Sequence, residues 1–348
     1  RSSDLSNRAE LLVAESAKIG TLNEISSQLS NLSLQLYSLF LQKGYVKTDT
    51  ELRFVQEFFA SRMPEVHIED LGFRERLWYY NAQLWYNFII QDFLACFTYA
   101  TRWTELFYRA PKMIDLNPVF YLRGAQYLLE ALFFIGDVSR FQSALDRFEQ
   151  TIDRPSFPQR ENVQSLAFLY RYGHKFNAHF MAGTFHEGLR LVDPVLAGIE
   201  HYREKIDEHH VMIFYYKIAC LYFGCGQYKL CIEYLGLIIE NKSLGMREDL
   251  LCFSRILNLV AHYEAGIDYQ IERLILSTYK FLIKMEDLHQ VQRAMISFIR
   301  SLTQVYPHEI KKSFKRLHET LSQYKNDPFE RRSFLYLDIL TWLQSNIE

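Results

Sequence analysis

Residues 214–241, FYYKIACLYFGCGQYKLCIEYLGLIIEN, decide the fold. Tyr215, Ile218, Ala219 and Tyr222 recur at helical spacing, Gly226-Gln227-Tyr228 interrupts them, and Cys231, Leu235 and Ile238 resume an apolar face. That pattern predicts two short antiparallel helices joined by a tight turn. Such a unit buries its apolar face only against a neighbour, so the stretch implies an array of stacked helix pairs that holds another molecule.

Working outward, helical periodicity extends along the whole chain, and no two-residue alternation suggests a sheet. The predicted helices span 5–18, 21–43, 49–62, 71–90 and 92–110, with breaks at Pro64 and Pro111. Pairs follow at 118–135 with 137–152, 160–182 with 184–204, 207–225 with 227–241, and 246–266 with 269–285. Helices at 287–305, 308–325 and 328–346 close the chain. The expected class is all-α.

Other segments repeat the pattern to different degrees. Trp78, Ala82 and Trp85 stand where Tyr215, Ala219 and Tyr222 stand, giving the large, small and aromatic positions that lock two helices together. Ala125, Leu128, Leu129 and Leu132, then Gly136-Asp137-Val138, Leu145 and Phe148, form another match. So do Ile256, Leu259, Val260 and Tyr263, then Asp268-Tyr269, Leu276 and Tyr279. Tyr172, Phe176 and the Gly183 turn fit less well, because Lys175 and His179 occupy places expected to be apolar. On these residues the chain resembles the tetratricopeptide repeat superfamily over 71–285. The turn glycines Gly136, Gly183, Gly226 and Gly266 lie 47, 43 and 40 residues apart, against about 34 in that superfamily. The resemblance therefore implies a divergent, irregular, right-handed α-solenoid across 1–348. Within it, 1–70 are divergent N-terminal helices, 71–285 recognisable pairs and 286–348 capping helices. The pair around Tyr215 also resembles the repeats of peptide-sensing bacterial regulators.

Composition narrows the function classes. A formal charge of −2 gives no general electrostatic case for nucleic acid. No apolar run reaches the roughly 18–20 residues that cross a bilayer. Five cysteines without a CxxC pair read as small buried hydrophobes in a reducing compartment, hence a cytoplasmic expectation. The polar start, Arg1 onward, reads as a fragment or processed form from which an export signal could have been removed. The 23 tyrosines exceed what a core alone requires and suggest a partner-facing surface.

Residues with catalytic potential do not assemble into a known pattern. His186-Glu187 lacks the second histidine of HExxH, and His209-His210 point about 100° apart on a helix. Glu286-x-x-His289 has di-iron spacing without the second pair such a site needs. Gly224-Cys225-Gly226 falls in an interhelix turn, where the glycines have structural work. No GxSxG, GxGxxG or GxxxxGK[ST] occurs. Lys311, Lys312, Lys315 and Arg316 interleave with acids and read as a solvated face. The expectation is a non-enzyme without catalytic residues, metal or cofactor.

In tetratricopeptide-like arrays the first helix of each pair lines a concave face. Position by position, the resemblance nominates Arg76, Tyr79, Tyr80, Gln83, Tyr86 and Asn87. It adds Arg123, Gln126, Tyr127, Glu130 and Phe133, then Tyr170, His174 and Asn177. Tyr216, Lys217 and Phe223 follow, then Ser254, Asn258 and Glu264. Amides that bond an extended main chain, cations for carboxylates and tyrosine contact area suit capture of a protein or peptide segment. The alternative expectation is a regulator whose array changes curvature when a peptide or small molecule binds.

Overall fold

The computed structural model describes residues 2–241, 248–283, 290–302, 309–325, 327, 330, 340, 343 and 344. Among these no strand occurs, and the all-α expectation holds as packed helix pairs. In chain order the helices are α1 (Ser2–Lys43), α2 (Asp49–Ala60), α3 (Phe73–Ile89), α4 (Phe93–Arg109), α5 (Lys112–Leu116) and α6 (Pro118–Ile135). They continue with α7 (Val138–Ile152), α8 (Glu161–Ala182), α9 (Phe185–Gly188), α10 (Val192–His201), α11 (Glu208–Gly224) and α12 (Tyr228–Ile239). Last come α13 (Glu248–Glu264), α14 (Asp268–Ile283), α15 (Gln290–Leu302) and α16 (Ile310–Ser322).

Three boundaries differ from the sequence reading. The predicted helices 5–18 and 21–43 are one helix, α1, because Gly20 costs only about 1 kcal/mol inside a helix and nothing crowds it. The predicted helix 184–204 is instead α9, a 3-10 turn at Leu189–Leu191, and α10. Pro194 accounts for this break, since it has no N–H to give Arg190 and its ring crowds that carbonyl. The short α5 was not foreseen. The helix predicted at 328–346 lies almost wholly outside the described residues.

One turn recurs five times. After α6, α8, α11 and α13 a glycine adopts left-handed φ: Gly136 (80°), Gly183 (66°), Gly226 (70°) and Gly266 (65°). The next residue's N–H reaches back to a carbonyl five residues earlier, as Gln227 does to Tyr222 (2.8 Å) and Asp137 to Leu132 (3.2 Å). The fifth member follows α3 and uses no glycine. Gln91 has φ 63°, its N–H bonds Phe88 O (3.1 Å), and the Asp92 N–H bonds Asn87 O (2.9 Å). In every case a helix resumes two residues beyond the left-handed one.

The chain divides into two compact units, Arg1–Asp137 with Asp153–Pro158, and Val138–Ile152 with Gln159–Glu348. In the first, α3 packs on the second half of α1 and on α4, which packs on α6. Aromatic rings fill this core: Phe93 stacks on Phe134 at 4.4 Å, and Trp103 lies 5.9 Å from Tyr127. Trp103 is fully buried, donates from Nε1 to Phe120 O (3.0 Å), and covers Gly124 so closely that a Cβ there would sit 2.5 Å from its ring.

In the second unit α7 packs on α8, and α11 lies among α8, α9, α12 and α13. Small residues again admit rings: Ala219 is fully buried, Gly224 accepts Phe185, and Gly198 accepts Phe168. Lys175, misplaced for an apolar position, is explained by its 2.9 Å pair with Glu149 across α7 and α8. His179 is explained likewise by a 2.7 Å bond between its Nδ1 and Thr184 Oγ1 in the turn.

Candidate functional site

The sixteen nominated residues, with Phe133, Phe223, Ser254 and Glu264, separate into a half-exposed set and a buried set. On α3 of the first unit, Tyr79 and Gln83 stand one turn apart on the accessible side, and Gln83 Nε2 donates to the Tyr79 hydroxyl (3.3 Å). Arg76, half-buried, donates from Nη2 to Glu69 O (3.2 Å), while its buried Nε has no bonding partner. Tyr86 lies flat on Phe59 of α2 with centroids 4.1 Å apart. Tyr80 and Asn87 are buried, and Asn87 donates to Gln83 O (2.7 Å), which satisfies it within its own helix.

On α6, Arg123 is exposed and Gln126 donates to Glu130 (3.3 Å). Tyr127 packs between Trp85 and Trp103, at 6.0 and 5.9 Å, so it joins the core aromatics. Phe133 is buried outright.

In the second unit Tyr170 and Glu264 are half-buried, whereas His174, Asn177, Tyr216, Lys217, Phe223, Ser254 and Asn258 are buried. These seven side chains face neighbouring helices, which corrects their placement on an open face. For Tyr216, Lys217 and Phe223 the reason is that α11 is apolar nearly all round, and a helix of that kind is covered on most of its sides; His174 and Asn177 lie on α8, and Ser254 and Asn258 on α13. Tyr216 (5% exposed) and Lys217 (6% exposed) point inward, whereas Tyr215 and Tyr222 keep partial exposure against Tyr234. Lys217 Nζ donates to Gly173 O (3.2 Å) and to Asn177 Oδ1, and it lies 5.9 Å above the Phe180 ring. Burial and the Lys217 charge push His174 down to about 3, so the ring is neutral at physiological pH.

The accessible cluster in the first unit contains two residues that the sequence reading missed. Tyr99 and Arg102 of α4 stand beside Tyr79 and Tyr80, with ring centroids of Tyr79, Tyr80 and Tyr99 between 5.9 and 6.5 Å apart. The Arg102 guanidinium is 5.8 Å above Tyr99. Burial raises the Tyr80 hydroxyl, while the charges of Arg102, Arg76 and Arg109 oppose that rise. The available signal was Tyr99-x-x-Arg102, a pairing that shares one helical face.

Other candidates resolve structurally. Burial pushes the Cys220 thiol up to about 12 and raises Cys225 and Cys231, which keeps these thiols protonated at neutral pH. Among the described residues no group of three or more His, Cys, Asp or Glu converges for a metal, and Glu286 and His289 lie outside those residues. Lys311, Lys312, Lys315 and Arg316 are exposed around buried Phe314 and Leu317, as a solvated face requires. No described helix is long and apolar enough to cross a membrane. No family model and no curated protein matches the chain.

Proposed function

We propose that the chain is a non-enzymatic binding module built from tetratricopeptide-like helix pairs, and that it captures an acidic peptide segment. The observation that carries this reading is the accessible cluster of Tyr79, Gln83, Tyr99 and Arg102, with Arg76 tethered beside it. Tyrosines supply contact area with few rotatable bonds, Gln83 offers an amide to an extended backbone, and guanidinium groups prefer carboxylates. The fivefold turn supports the repeat-like reading, because each turn joins a helix to the one that follows it.

The test is selection from a random peptide library on the immobilised protein. Enriched peptides should carry Asp or Glu, and Tyr79→Ala with Arg102→Ala should weaken them at least tenfold while the circular dichroism spectrum stays unchanged. Enrichment of neutral peptides, or equal binding by the double variant, defeats the reading.

A further inference from the structure

A pocket of about 240 Å³ opens in the first unit where α1 ends, α2 begins and α3 stops. Leu39, Tyr45, Val46, Phe54, Val55 and Ile89 give it a mostly apolar lining, to which Lys43, Thr50 and Glu51 add polar groups. The local chain builds it deliberately. Gly44 leaves α1 with φ 69°, and a Cβ there would touch nothing, so the turn keeps the space open. The following loop is clamped from both sides: the Val46 N–H donates to Ile89 O (3.0 Å), and Gln91 Nε2 donates to Val46 O (3.0 Å).

Two charged side chains border this apolar space. Glu51 is engaged, since its Oε2 accepts the Lys47 N–H at 2.7 Å. Lys43 is exposed, and its ammonium lies 4.7 Å above the Phe54 ring, at the apolar wall. Phe54 itself is 46% exposed, an unusual surface position for a phenylalanine.

We propose that this pocket binds a medium-chain alkyl carboxylate, the chain lying against Leu39, Val55 and Ile89 and the carboxylate meeting Lys43. Charge complementarity selects the head group: the Lys43 cation lies against the apolar wall, while the Glu51 carboxylate is engaged by the Lys47 N–H, which favours an anion over an alcohol or an amine. Volume selects the length. A cavity of about 150 Å³ holds the six carbons of benzene, so 240 Å³ holds about ten. The site is separate from the tyrosine and arginine cluster.

Isothermal titration of the full chain with sodium hexanoate, octanoate, decanoate and dodecanoate, each below its micellar range, tests the proposal. Affinity should rise about fourfold per methylene and level off near ten carbons. Lys43→Ala should weaken decanoate about tenfold without changing the affinity for 1-decanol, and Lys43→Arg should restore it. Val55→Phe, which fills the pocket, should abolish both. Because Lys43 is exposed, its two variants decide the matter even if Val55→Phe folds poorly. No saturable binding overturns the proposal. So does equal affinity for decanoate and 1-decanol, continued strengthening beyond ten carbons, or displacement of decanoate by a short peptide ending in leucine, which would make the pocket an anchor for a protein segment.

Discussion

Helices α3 and α11 carry the same large, small and aromatic triplet, yet they differ in how they expose the residue that follows the first and the second member of it. In α3 the triplet is Trp78, Ala82 and Trp85, and Tyr79 and Gln83 beside it stay half-exposed. In α11 the triplet is Tyr215, Ala219 and Tyr222, and Tyr216 and Cys220, which stand where Tyr79 and Gln83 stand, are buried, while Lys217 and its α3 counterpart Tyr80 are both buried. The small residue is sealed in both. What differs is how many sides of each helix are covered, which depends on the rest of the helix. The α3 sequence interleaves Arg74, Glu75, Arg76, Asn81 and Gln83, whereas α11 runs almost unbroken from Val211 to Phe223 with Lys217 as its one charge. The triplet spacing thus identifies which residues lock a helix pair and leaves the solvent side to be read from everything else.

Denaturation can break this contrast directly. Tyr216→Ala should cost about 3–5 kcal/mol in urea unfolding, as large aromatic truncations in cores do, whereas Tyr79→Ala should cost less than about 1 kcal/mol. Comparable costs would show that the two helices are equally enclosed. Lys217→Ala should cost about 2–4 kcal/mol, because it leaves Gly173 O and Asn177 Oδ1 short of a donor inside the unit. Lys217→Gln, which retains a donor, should recover part of the loss.

The ring-on-glycine contacts sharpen the comparison further. Gly124→Ala in the first unit and Gly198→Ala in the second should each cost about 1–3 kcal/mol, since the new methyl meets Trp103 at 2.5 Å and Phe168 at 2.0 Å. The last effect is electrostatic and builds up gradually with pH. His174 is depressed to about 3 in the folded protein against 6.5 ordinarily, so below pH 6.5 the unfolded chain takes up a proton that the folded chain refuses. Stability should therefore fall as pH drops from 6.5 towards 3, by at most about 1.4 kcal/mol per pH unit, and His174→Gln should flatten that slope. A slope unchanged by the substitution would place the titration elsewhere.

The helix pairs were legible because glycine turns and apolar spacing are local features. Gly136, Gly183, Gly226 and Gly266 all end helices as their sequence context implies. Gln91 was not legible, since nothing in its identity announces left-handed backbone, and only the helix resuming at Phe93 reveals the fifth turn. The candidate site was legible in part: Arg76, Tyr79 and Gln83 lie together on accessible surface, but Tyr99 and Arg102 come from the next helix, and their proximity is a tertiary fact. Asn177 and Lys217, 40 residues apart, likewise could not be paired from spacing along the chain.

Gln91 also sets an unusual tolerance at its own position. Backbone preference there is for glycine or asparagine, whereas the bond to Val46 O demands a side chain long enough to carry an amide across. No residue type meets both demands fully. Gln91→Gly should ease the α3 turn while freeing the Gly44–Lys47 loop, and Gln91→Ala should forfeit both benefits. A saturation library at this codon, scored for fold and for the neighbouring loop separately, should rank its variants in two different orders.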